Sequence, residues 1–91
     1  MSDESLLQFP CDFPIKVMGV GDSGFRALVV ELVRQRAPDL DETRVQVRDS
    51  RAGRYQSVTV MVMARDRAQL DAIYQDLSRH PHIKLVLRFR A

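Results

Sequence analysis

Apolar residues recur along this chain with two periods, two and roughly 3.6, and the switches between them predict the elements in order. The first stretch has period two. Phe13, Ile15 and Val17 fall on one side and Lys16, Met18 and Val20 on the other, in a strand whose approach Pro10 and Pro14 hold extended. Gly19-Val20-Gly21-Asp22-Ser23-Gly24 breaks it, and Asp22 or Ser23 is positioned to cap a helix. In that helix Phe25, Leu28, Val29, Leu32 and Val33 form one apolar stripe, ended by Ala37-Pro38 and the acidic run Asp39-Leu40-Asp41-Glu42. Thr43 to Ser50 reads as a strand with Val45 and Val47 inward and Arg44, Gln46 and Arg48 outward. The turn Arg51-Ala52-Gly53-Arg54 joins it to Tyr55 to Ala64 as a hairpin. Val58, Val60 and Val62 line one face of this third strand, and Tyr55, Ser57, Thr59, Met61 and Met63 the other. Asp66 with Gln69 makes a capping-box variant for a second helix carrying Leu70, Ile73, Tyr74 and Leu77 inward, which His80-Pro81 stops. In the last strand Ile83, Leu85, Leu87 and Phe89 are expected inward, and Lys84, Val86, Arg88 and Arg90 outward.

Two helices with one apolar stripe each, and four strands with one strongly apolar face each, are satisfied together by an α+β fold. That fold is a ferredoxin-like βαββαβ two-layer sandwich, a four-stranded antiparallel sheet with both helices on one face. Right-handed crossovers put the first and third strands in the middle. Residues 13–91 form this one domain, and residues 1–12 an N-terminal extension. The other sheet face is then left open, with two expected characters. Met18, Val20, Tyr55, Thr59, Met61, Met63 and Val86 make it a candidate partner or dimer face, because that much apolar surface is seldom left wet. Lys16, Arg44, Arg48, Lys84 and Arg88 give it a basic character.

Composition changes little in this picture. With 91 residues, 45% apolar and 29% charged, the chain is long enough for one core and too short for two. The net charge of +2 is unevenly placed: residues 1–43 hold 4 basic and 8 acidic side chains, residues 44–91 hold 10 and 4. The lone Cys11 excludes an intrachain disulfide. No apolar run approaches the ~20 residues of a membrane span, and Met1 to Gln8 carry Asp3 and Glu4 but no basic residue, unlike a secretory signal. The expected compartment is the cytoplasm, with no membrane partner.

No catalytic motif is complete in the sequence. Gly19 to Arg26 faintly matches the phosphate cradle of acylphosphatases, but that family needs an Asn to orient water, and this chain has none. Asp22 would also set a negative charge where the anion belongs. Ser23, Ser50, Ser57 and Ser78 have no His and carboxylate at a recognisable spacing, and Cys11 has no evident base. Cys11 cannot form a thiolate pair, and His80 with His82 gives two imidazoles where a site needs three or more ligands. Hence no catalytic residue, metal or cofactor is expected. RNA binding through the basic face is the alternative function, with Tyr55 as its only stacking platform.

Phe9-Pro10-Cys11-Asp12-Phe13-Pro14-Ile15-Lys16-Val17-Met18-Gly19, the hairpin run Ser50 to Thr59, and Tyr74 through Leu77 to His80-Pro81 resemble the YbeD family of small bacterial proteins. The likeness spans nearly the whole chain. It implies a ferredoxin-like fold akin to the ACT regulatory domains, which bind amino acids and pair through their elements. A ligand-binding role for the loop between first strand and first helix would fall on Gly19, Gly21, Asp22, Ser23 and Gly24. The expected function is that of a non-enzymatic regulatory or interaction domain that binds a protein partner or a small metabolite, as a homodimer.

Overall fold

The two longest unbroken alternations in the sequence become the two central strands. In the computed structural model, which describes residues 8–21, 24–50 and 52–88, β1 (Cys11–Val20) and β3 (Tyr55–Ala64) run antiparallel, from Cys11 opposite Ala64 to Val20 opposite Tyr55. β2 (Gln46–Asp49) flanks β3 and β4 (Ile83–Arg88) flanks β1, giving the order β2-β3-β1-β4. With α1 (Phe25–Arg34) and α2 (Arg67–Ser78) between them, this is the expected βαββαβ sandwich. β1 begins at Cys11, inside the segment read from sequence as an extension.

One face of the sheet and the facing sides of the helices make the core. Phe13, Ile15 and Val17 of β1 and Val58, Val60, Val62 and Ala64 of β3 meet Phe25, Val29, Val30 and Val33 of α1 and Leu70, Ile73 and Leu77 of α2. All are nearly inaccessible, and burying each such aliphatic side chain contributes about 1.5–3 kcal/mol before conformational entropy is subtracted. No polar or charged residue is buried among the described residues. The stripe on α1 is turned slightly from the sequence reading: Val30 is buried, while Leu28 and Leu32 are half-buried at the flanks.

Local chemistry fixes the connections. Gly53 adopts φ 73°, a left-handed conformation costly for any side chain, and its N–H donates to Ser50 O at 2.9 Å. Ser50 N–H donates to Tyr55 O at 2.8 Å and the Ser50 hydroxyl accepts from Tyr55 N–H at 3.1 Å, closing the hairpin. The Asp66 carboxylate accepts from Gln69 N–H at 2.8 Å, while Gln69 Oε1 reaches one residue further back, to Arg65 N–H at 2.7 Å. At the far end of the helix layer Arg36 donates to both carboxylate oxygens of Asp76, at 2.8 and 3.4 Å, and Gln69 Nε2 donates to Arg36 O at 2.9 Å. These bonds clasp the end of α1 to α2. The same Arg36 bonds hold the Asp76 carboxyl below its ordinary range.

Two local expectations are corrected. The first is the phase of β4. Gly19 lies opposite Ile83 but Met18 opposite Leu85, so Lys84 is an extra residue, a bulge, and Leu85, Val86 and Leu87 change face. Val86, read as outward, pairs with Val17 and is buried. Leu85 and Leu87, read as inward, pair with Met18 and Lys16 and are exposed. Arg88 is thereby moved opposite Ile15. The second is β2, which starts at Gln46 and not Thr43, because a 3-10 turn occupies Glu42–Arg44. Asp41 caps that turn, accepting from Thr43 N–H at 3.0 Å and Thr43 Oγ1–H at 2.6 Å. These bonds hold the Asp41 carboxyl below its ordinary range. Val47, opposite Val58 on the helix side, stays 38% exposed on this edge strand. The residue at the N-cap position of α1 is Gly24. Asp22 and Ser23 lie outside the described residues.

Candidate functional site

Strand pairing sets the open face out in rows. Asp12 stands beside Met63, and Pro14 beside Met61. Leu87, Lys16, Thr59 and Gln46 then run from β4 across to β2; Leu85, Met18, Ser57 and Arg48 do the same one row on, and Val20 pairs with Tyr55. Six large apolar side chains are exposed among the described residues, and five of them, Val20, Tyr55, Met63, Leu85 and Leu87, share this face at 39–49% exposure. The sixth, Val47, is on the other side. Met18, Thr59 and Met61 are half-buried between these rows. Of the residues assigned to a partner face from sequence, only Val86 leaves it. Leu85 and Leu87 join, and they are what sequence reasoning missed.

The cations of the face divide by partner. Arg44, displaced from the strand into the 3-10 turn, reaches Asp12 at 3.4 Å. Lys16 and Arg48 have no carboxylate partner among the described residues, and Lys84 stands exposed at the bulge. A hollow of about 90 Å³ opens beside Arg48, lined by Met18, Tyr55 and Ser57 among others.

A second concavity lies at the end of the helix layer. Gly24, Phe25, Leu28, His80 and His82 surround about 280 Å³, with Phe25 and Leu28 as an apolar wall. His80 Nδ1 accepts from His82 N–H at 3.3 Å, and the two ring centroids are 5.4 Å apart. No cluster of three or more His, Cys, Asp or Glu side chains suited to a metal exists among the described residues.

The glycines assigned to a ligand loop divide here. Gly24 lines the cavity, whereas Gly19 is buried in the sheet, where a Cβ would come within 2.3 Å of His82 O and 2.4 Å of the Phe25 ring. Its missing side chain is what lets the α2–β4 turn and the α1 aromatic close over β1. Gly21 donates its N–H to Arg54 O at 2.9 Å, tying the loop to the hairpin. Arg26, the arginine just inside α1, pairs with Glu42 at 3.6 Å. Arg34 donates to the other Glu42 oxygen at 2.8 Å, and the two guanidinium groups, Arg34 foremost, hold the Glu42 carboxyl below its ordinary range.

The folded chain has a ferredoxin-like fold similar to that of ACT domains. It superposes on the ACT domain from the GTP pyrophosphokinase of Chlorobium tepidum with a TM-score of 0.70, covering 89% of this chain and 88% of that one at 12% identity. A solution structure of a protein from H. pylori matches with a TM-score of 0.68 over 96% of this chain and 94% of that one, at 15% identity. At such identities the likeness concerns the fold alone. Sequence goes further: residues 4–87 match the model of the DUF493 family, described as a protein of unknown function, and the chain belongs to that family. It is 47% identical over 87 residues to a UPF0250 protein of Nitrosomonas europaea, covering 96% of this chain and 100% of that one. It is also 48% identical over 82 residues to one from Pseudomonas paraeruginosa, covering 89% and 88%. These are the bacterial, YbeD-like relatives that the sequence resembles. No helix among the described residues is long and apolar enough to cross a membrane.

Proposed function

We propose that this chain is a non-enzymatic regulatory domain of the bacterial cytoplasm that acts by docking its open sheet face on a protein. The observation that carries this reading is the gathering of Val20, Tyr55, Met63, Leu85 and Leu87 on the one face no helix covers. Apolar surface gathered on one face is costly to leave in water and marks interaction sites. Met18, Met61 and Met63 add side chains that adapt to a partner's shape. The ACT domain of the pyrophosphokinase offers a parallel for a fold of this class serving within a larger protein. The experiment is affinity capture of the tagged chain against a Leu85→Asp, Leu87→Asp variant, with folding of both verified by circular dichroism. Loss of the captured protein with unchanged helix content supports docking through this face, and identical capture by both refutes it.

A second reading, a small metabolite, is favoured by the cavity at Phe25, Leu28, His80 and His82. Its apolar wall beside two imidazoles suits a small amphiphilic molecule such as an amino acid. Thermal shift with a panel of amino acids tests it. A bound ligand at about 100 times its dissociation constant adds about 2.7 kcal/mol of stability, and no shift from any of the panel counts against the reading.

A further inference from the structure

We infer that the occupant of the open face is an acidic amphipathic helix of another protein and not a second copy of this chain, an inference that rests on the docking reading above. The argument is charge complementarity. Among the described residues, Lys16 and Arg48 stand amid the apolar side chains without a carboxylate partner, while Asp12, the only carboxylate of this face, is already held by Arg44 at 3.4 Å. Asp49, the one acid of β2, accepts from Gln56 Nε2 at 2.8 Å and lies opposite Gln56 in the register that faces the helices. From its described residues, a second copy brought face to face would add two more uncompensated cations and no free acid. Juxtaposed like charges in an interface oppose association, so the face selects against itself.

The spacing gives the shape of the partner. Lys16 is on β1 and Arg48 on β2, with β3 between them, and they lie one row apart. Two strand separations and one two-residue step put their Cα atoms about 12 Å apart on the diagonal. That is about two turns of an α-helix, so carboxylates seven or eight residues apart reach both cations from one side of a helix. Its apolar residues then fall on Met18, Tyr55, Leu85 and Leu87, with the hollow of about 90 Å³ beside Arg48 open to one of them. A helix also satisfies its own backbone groups, whereas an extended segment laid flat on a sheet face leaves them without partners.

A display library of random 16-residue peptides, selected against the intact chain, tests this directly. Enriched peptides are expected to carry Asp or Glu seven or eight positions apart with Leu, Ile or Phe between, and to bind the Lys16→Glu, Arg48→Glu variant at least about tenfold more weakly. Two further arms measure the competitors: sedimentation of the chain alone, and retention of a random-sequence RNA 20-mer at about 150 mM salt. Enrichment of neutral or basic peptides, failure to enrich any, a dimer dissolved by Leu85→Asp, or RNA retention abolished by the charge reversals would each overturn the inference. Peptide binding that Leu85→Asp abolishes but the charge reversals leave intact would sink the acidic helix and spare the docking face. Binding indifferent to both would sink both.

Discussion

The two faces of one sheet are built from the same strands, alternating residue by residue, and they obey opposite rules. On the helix side Ile15, Val17, Val58, Val60 and Val62 are fully enclosed, and their β-branched shapes fill space defined by α1 and α2. On the other side Tyr55, Met63, Leu85 and Leu87 are half in water, beside Lys16 and Arg48. Each Val of β3 is thus one residue from a position where burial is incomplete. Hydrophobicity alone does not sort the two faces; what does is whether a second layer is supplied by the same chain.

The sharpest way to break this comparison is to place one charge on each face. Val60→Asp buries a carboxylate with no partner and is expected to cost about 4 kcal/mol or more, leaving the chain largely unfolded. Met61→Asp, the next residue, is expected to cost about 1 kcal/mol or less. Urea denaturation of the pair measures the difference, and equal losses would contradict the assignment of faces.

Gly19→Ala probes a close approach on the helix side of the sheet. The added methyl meets a backbone oxygen at 2.3 Å, which cannot turn aside as a side chain would. The cost is expected at about 2–3 kcal/mol, as for an overpacked core, and Gly53→Ala, where nothing lies near, should cost less. Thermal unfolding ranks the two.

The bulge gives a finer test. Val86→Ala should cost about 2 kcal/mol and Leu85→Ala no more than about 0.5 kcal/mol, the reverse of an unbroken alternation from Ile83. In a Cys11→Ser background, Leu85→Cys should be labelled by a thiol reagent promptly and Val86→Cys slowly.

The smallest effect separates the surface of the helix layer from its interior. The Asp76, Glu42 and Asp41 carboxyls are all held below their ordinary range in the folded chain. A depressed carboxyl contributes stability that is full above its unfolded value and lost as pH falls through its folded value. Stability should therefore decline on acidification below about pH 4, where model carboxylates titrate. Arg36→Ala should shrink the decline by the Asp76 share. These groups are exposed and screened, so the slope is shallow beside the core effects.

What was legible in the sequence follows the same division. β1 and β3 were readable because their alternation is unbroken and their partners are each other. α2 was readable because Asp66 and Gln69 sit at its start with Leu70, Ile73 and Leu77 behind them. β4 was not, because Leu85, Val86 and Leu87 are three apolar residues in succession and periodicity cannot choose a phase among them. The choice is made by Gly19 and Met18 across the sheet, more than sixty residues away in the chain. The Glu42–Arg44 turn left a signal that the strand pattern overrode, since Asp41 followed by Thr43 two positions on is the pattern of a side chain that bonds its own backbone. Of the candidate site, the methionines and Tyr55 were visible in advance. Leu85, Leu87, the pairing of Arg44 with Asp12 and the cavity at His80 and His82 depend on contacts between distant segments.

The extra residue at Lys84 has a consequence for anyone recoating this molecule. A substitution mask that skips every other position works along β1 and β3. Carried unchanged from Ile83 into β4, it would paint the interior with polar groups at Val86 and leave the grease at Leu85 and Leu87 in place. A redesign must restart its count at Leu85, or it will unfold the protein it meant to make more soluble.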